Sequence, residues 1–154
     1  MAYSDALRTP ATYTGSNVAD LIDGVFGASG ALGASSSWSP THTGFSANPT
    51  NVVARYWRIG KLVICSYSAV AGTSNTTGYT ITLPVTAATI TNAVWAVRLA
   101  TVFDNSAYST SPGIAQVVSA GTTAQLLFNQ NGSTLWTGSG TKLGIFSGLI
   151  YEGV

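Results

Sequence analysis

Hydrolytic acid–base chemistry needs two carboxylates facing one substrate, or a histidine set beside a nucleophile. From Trp38 onward the acids are Asp104 and Glu152, the histidine is His42 and the thiol is Cys65. Asp104 stands in "FDNSAY", a turn composition, and Glu152 lies close to the last residue. The order of the chain gives these two acids no reason to share a cleft. His42 and Cys65 can be imagined as a dyad, yet neither lies in a motif that activates a thiol, and one His with one Cys falls short of a structural zinc site. The glycine-containing segments include neither G-x-x-x-x-G-K-[ST] nor a G-x-G-x-x-G placed between strand and helix, so nucleotide binding has no sequence warrant. The expectation is a protein that is not an enzyme and carries no metal and no cofactor.

The totals narrow the remaining classes. The chain has 154 residues, enough for one well-buried domain with a short appendage. Charged residues make up 7% of it, against roughly 25% in an average soluble protein, and 45% is apolar. Ser, Thr, Asn and Gly must therefore carry most of the solvation. A formal net charge of +1, with its cations scattered, makes no field dense enough to hold nucleic acid. Arg55, Arg58 and Lys61 form the one basic cluster and read as a solvated or interfacial patch. Apolar runs are too short for a membrane span, and "MAYSDALRTP" lacks the features of a secretory signal, so neither membrane insertion nor a secreted precursor is expected. Matches to N-x-[ST] at Asn75 and Asn131 carry no weight without a secretory route, and Cys65 reads as a small buried hydrophobe.

The elements that would position any site fall into two parts. Residues 1–37 hold "NVADLIDGVF", where Asn17 and Asp20 resemble an N-cap and a first-turn acid, and Val18, Leu21, Ile22 and Val25, followed by Phe26, supply an apolar helical face. So short a helix is marginal alone and needs a partner surface. "GASGALGASSS", residues 27–37, reads as a small-residue linker. Residues 38–154 have period two. "YTITL" (79–83) and "VWAVRLATVF" (94–103) predict strands, with others near 52–58, 61–70, 113–119, 123–128 and 142–151, separated by turn-forming stretches. Many short strands with no helix between them predict an all-β antiparallel sandwich or jelly roll.

Several of these strands look fit for burial on both faces. In "RYWRIGKLVICSY" and the residues before it, Ala54 and Tyr56 alternate with Val53 and Trp57, and Leu62 and Ile64 alternate with Val63, Cys65 and Tyr67. "KLGIFSGLIY" sets Leu143, Ile145 and Leu149 opposite Phe146 and Ile150. A sheet with one wet face shows polar residues at every second position. In an all-β chain without an outer helical layer, a neighbouring subunit is the economical cover, which predicts an obligate homo-oligomer. The alternative is a monomer with Thr- and Gly-rich outer faces.

A binding surface is the other class open to this composition. Trp38, Tyr79, Tyr108 and Trp136 near loops, with Asn75, Asn105, Asn129, Gln130 and Asn131, are what a shallow sugar site uses: an aromatic face for the ring, amides for the hydroxyls. Tyr108, Trp136, Asn105 and Asn131 are the candidate glycan contacts. The same residue types serve equally as core aromatics and turn formers.

One ordered set of motifs resembles a known module. Trp38 and Pro40 as W-x-P, then Tyr56–Trp57, then Ile59–Lys61 as an I-G-K hairpin, then Gly72–Pro84 as G-T-S-N-x-T-x-[FY]-T-I-T-L-P, together look like a recurrent module of tailed-bacteriophage virion proteins. The likeness covers about residues 38–88 and is general in character beyond them. It implies a trimeric β jelly-roll head of a capsid decoration, short fibre or tail fibre, joined to an N-terminal attachment segment. On that implication residues 1–37 dock on other virion structural proteins of capsid, collar or tail, and residues 38–154 project from the virion surface, where host-surface glycan is a further partner. The chain departs from long fibres in having no shaft or collagen-like repeat, which favours a small accessory protein. A tail-tip receptor-binding protein and a free-standing carbohydrate-binding module are the alternatives, and a glycan-degrading enzyme is disfavoured by the scarcity of acids.

Overall fold

Tyr79 and Ile81 are buried while Thr80 and Thr82, between them, are partly exposed. That alternation is the signature of a strand lying on a core with its other face toward water. The computed structural model describes residues 35–75, 77–91, 94–129 and 136–154, and within these it builds thirteen strands and no helix. The predicted attachment residues Val18, Leu21, Ile22, Val25 and Phe26, and also Asn131, lie outside the described residues.

The strands are β1 (Ser36–Ser37), β2 (His42–Thr43), β3 (Phe45–Ala47), β4 (Thr50–Ile59), β5 (Leu62–Val70), β6 (Gly72–Ser74) and β7 (Tyr79–Thr82), followed by β8 (Val94–Arg98), β9 (Thr101–Asp104), β10 (Ala107–Tyr108), β11 (Ile114–Val118), β12 (Thr123–Leu127) and β13 (Thr141–Glu152). They form two antiparallel sheets. The first has eight strands, in the order β1-β4-β5-β13-β6-β3, with β9 and β10 joined to it through β13. The second has five, in the order β2-β7-β12-β11-β8. Each of the seven predicted strand regions contains a strand, and β1 draws the end of the predicted linker into the first sheet by pairing Ser36 with Tyr56.

One core lies between the sheets. Ala54, Val63, Cys65, Tyr67, Phe146, Leu149 and Tyr151 enter it from the first sheet, and Tyr79, Ile81, Ala115, Val117, Ala124 and Leu126 from the second. This is the arrangement of a β-sandwich. Two hydroxyls and an imidazole bridge the layers: Tyr79 Oη donates to Tyr67 Oη at 3.0 Å, and His42 Nε2 lies 2.9 Å from the same Tyr67 oxygen.

The chain makes two of its passages from sheet to sheet at tight corners. Between β2 and β3 it turns at Gly44, with φ of 97°, where a Cβ would stand 2.7 Å from the Gly78 carbonyl oxygen. Between β8 and β9 it turns at Leu99 and Ala100. Leu99 N–H still donates to Gly113 in the second sheet's ladder, at 2.9 Å, while Ala100 N–H donates to Ile145 in the first, at 2.7 Å. The predicted single strand 94–103 is therefore two. The corner also resets the alternation: Val102 and Asp104 point inward, and Phe103, expected on the same face as Trp95 and Val97, packs at the surface against Tyr108.

A bulge resets β13 in the same way. The register with β5 shifts between Ser147 and Leu149, where Gly148 takes φ of 77°. Phe146, Leu149 and Tyr151 consequently share the core face and Ile150 points out. The unbroken alternation read from the sequence had placed Leu149 and Phe146 on opposite faces.

Candidate functional site

Each side chain singled out for chemistry is held by a structural contact. Asp104 and Glu152 sit toward opposite ends of β13: Asp104 follows Phe103, which pairs with Leu143, whereas Glu152 is the strand's last residue. Roughly 30 Å of strand separates those positions, far beyond the spacing of two cooperating carboxylates. Asp104 is buried and accepts from Thr137 N–H at 3.0 Å and Thr137 Oγ1 at 2.7 Å, which ties residue 137 to the end of β9. Glu152 is exposed and lies 3.6 Å from Lys61 Nζ.

Cys65 and His42 do not meet. Burial pushes the Cys65 thiol up to about 12, with only partial relief from its hydrogen bond with Tyr151, so no thiolate forms at neutral pH. His42 faces Tyr67 and the edge of Phe45, and burial lowers its pKa. Among the described residues no group of three or more His, Cys, Asp or Glu is placed to hold a metal ion. The basic cluster serves its own turn: Arg58 Nε donates to Gly60 O at 2.9 Å, and Arg58 Nη2 to Val154 O at 2.8 Å.

The most unusual polar group is one the sequence left among scattered cations. Lys142 is completely buried. Its Nζ donates to Thr77 O at 3.1 Å and stands 5.1 Å from the centre of the Phe45 ring. Desolvation lowers its pKa, and the neighbouring Asp104 charge opposes that shift. Ser74, the other buried polar side chain of this corner, donates to Thr137 O. Lys142 thus joins β13 to Thr77, Ser74 is joined to Thr137, and Asp104 ties Thr137 to β9.

The candidate glycan contacts separate. Trp136 is a correction: it is only 6% exposed, its ring packs edgewise on Tyr79 and Phe128, and its Nε1–H donates to Leu126 O. Its neighbours in sequence are polar, but an indole that can reach a carbonyl at the rim of the core gains more by burial than by exposure. Tyr79 is buried too, and Trp38 is tied through Nε1 to Thr82 O at 3.1 Å. Asn75 accepts from Thr77 N–H at 2.8 Å, closing a turn. Asn105 is exposed at the tip of the β9–β10 hairpin with φ of 48°, and Tyr108, on β10, is 77% exposed.

Among the described residues, two surfaces bear on function. On the outer face of the first sheet, Trp57 of β4, Ile64 of β5 and Ile150 of β13 stand side by side in register. Ile59 and Leu62 form the next row, and Val53, 56% exposed, lies on the same face of β4. Beside Tyr108, an open groove of about 340 Å³ runs between the start of β9 and residues 109–112. The first surface was legible from the alternation in β4 and β5. The groove was not, because it is made by the corner after β8.

Comparison with protein-family models, with curated proteins and with solved structures returns no match. The functional argument therefore rests on this geometry and on the motifs of residues 38–88.

Proposed function

We propose that this chain is a structural protein of a tailed-bacteriophage virion surface, a capsid decoration or short fibre whose β-domain is a homotrimeric jelly-roll head. Residues 1–37, with Val18, Leu21, Ile22, Val25 and Phe26 as their apolar set, are the attachment segment for other virion proteins, and the head projects. The observation that carries the reading is the apolar row Trp57–Ile64–Ile150, half-buried to exposed, with Ile59 and Leu62 exposed in the row beside it. Contiguous aliphatic surface of this kind on a sheet face marks an interaction site. A sister subunit covers it without new chemistry, and the low charge of the chain suits a permanent interface.

The motif positions support the same reading. Ile59-Gly60-Lys61 joins β4 to β5 with Gly60 at φ of 58°, and the Gly72–Pro84 segment spans β6 and β7, so the shared motifs are the turns and registers that shape this head. Light scattering on the intact protein after gel filtration tests it. A mass of three chains is expected, and a monomer across the accessible concentration range overturns it.

A further inference from the structure

We propose that the groove beside Tyr108 is a binding site for a neutral pyranose. The argument begins with the tyrosine. Tyr108 leaves 77% of its surface in water although the core lies one corner away, and its ring is not loose. It pairs with Phe103 across the β9–β10 hairpin, and the two rings meet at 5.0 Å with an interplanar angle of 70°. A rigid, exposed aromatic ring offers contact area at little cost in conformational freedom.

The groove next to it has the mixed lining a sugar requires. Leu99 and Val102, each 5% exposed, form its floor, and Thr101, Thr110 and Ser111 lie along it. Residues 109–111 are held in one turn: Ser109 N–H donates to Val102 O at 2.9 Å, Ser109 Oγ to Ser111 O at 3.0 Å, and Ser111 N–H to Ser109 Oγ at 3.1 Å. Thr101 and Thr110 are among the lining residues, and a threonine hydroxyl both donates and accepts, as sugar hydroxyls do. A volume of about 340 Å³ is at the low end of small-ligand sites. No residue that lines it is charged, which selects a neutral ring over a sialic or uronic acid. Apolar C–H edges against Tyr108 and hydroxyls against the Ser/Thr rim describe a pyranose bound by one face.

This narrows the sequence-level expectation. Of the candidate glycan contacts Tyr108 is kept, Trp136 is in the core, and Asn105 lies outside the groove, its Oδ1 close against Gly140. The groove lies at β9 and residues 108–112, away from the Trp57–Ile64–Ile150 row, so the site goes beyond the assembly reading and is tested apart from it. If both hold, three shallow sites on one particle give avidity that a single site lacks.

Saturation-transfer NMR on the intact protein with millimolar glucose, galactose, mannose, N-acetylglucosamine and rhamnose tests the site. Transfer to the ring C–H protons of at least one sugar is expected, falling by about fivefold or more in Tyr108→Ala and retained in Tyr108→Phe, since the ring face and not the hydroxyl makes the platform. Tyr108 is exposed enough for the alanine variant to keep its thermal unfolding transition, which is checked alongside. No transfer from any of these sugars overturns the proposal, as does transfer undiminished in Tyr108→Ala or binding confined to acidic sugars. The mass measurement is read independently, so failure of one proposal is distinct from failure of the other.

Discussion

The two sheets send similar apolar side chains into their shared core and turn opposite chemistry outward. On the second sheet, Thr43, Thr80, Gln125 and Gln116 stand in one row across four strands. Thr43 and Thr80 share a hydrogen bond at 2.7 Å, and Gln116 Nε2 donates to Gln125 Oε1 at 3.0 Å. On the first sheet the corresponding row is Trp57, Ile64 and Ile150. That polar row is complete in water, although Val94 and Val118, 54% and 51% exposed, pair toward the edge of the same face. The row of two isoleucines and an indole is not complete in that way, and burying it removes area worth about 25 cal/mol for each Å². On the proposed assembly, a sister subunit covers the apolar row and solvent the polar one.

The largest expected effect comes from making the first outer face resemble the second. Ile64→Lys combined with Ile150→Lys places two charges in the centre of the apolar row, and the proposed trimer should dissociate to monomer in light scattering while circular dichroism still reports a folded β-domain. Gln116→Lys, on the second sheet, should leave the mass unchanged. A trimer that survives the double substitution would remove this face from the interface.

Next in size is the contrast of inner against outer positions on one strand. Leu126→Ala opens a cavity where Tyr79, Gly144 and Trp136 converge and should cost about 2–5 kcal/mol in denaturant unfolding. Its neighbour Leu127 faces outward, and Leu127→Ala should cost under about 1 kcal/mol. Equal losses would mean that the core is not where the alternation puts it.

The bridge between sheets should make stability depend on pH at both extremes. His42 has its pKa lowered in the folded state, so the folded protein binds fewer protons than the unfolded chain. Its contribution is fully present above the ordinary histidine value of 6.5 and is lost as pH falls below it. Tyr67 is pushed up to about 12 from 10.0, so its contribution holds below 10 and is lost as pH rises from 10 toward 12. Denaturant midpoints followed across pH should fall in both windows, and Tyr67→Phe should flatten the alkaline limb. An unchanged alkaline limb in that variant would assign it to other tyrosines.

The smallest effect belongs to the polar row. Gln116→Ala removes one exposed cross-strand pair and should shift stability by about 0.2–1 kcal/mol, measured by chemical denaturation. A loss well above that would show that the second outer face is covered as well.

How far these differences could be read in advance follows from how local each signal is. The alternation near residues 52–58 and 61–70 separated Ala54 and Tyr56 from Val53 and Trp57, and Leu62 and Ile64 from Val63, Cys65 and Tyr67, and the register joins these sets into two faces. Alternation is a property of adjacent residues, and it survives wherever the strand runs without interruption. It failed at the corner after β8 and at Gly148. A bend or a bulge shifts the phase by one residue, and whether one occurs depends on partner strands that are distant in sequence. Trp136 was misplaced and the burial of Lys142 went unread for a related reason. Their burial depends on groups such as Leu126 O, Thr77 O and the Phe45 ring, which only the folded chain brings to them.

By itself, then, the sequence determined an all-β domain of short antiparallel strands, apolar on more faces than one core can use, and poor in the acids, thiols and metal ligands of an active site. The tertiary structure decided which apolar faces meet in the core, which one stays open, and that a tyrosine outside the core borders a groove. The physical reason is range: hydrophobic alternation and residue chemistry are written along the chain, whereas burial and concavity arise between strands that only folding makes neighbours.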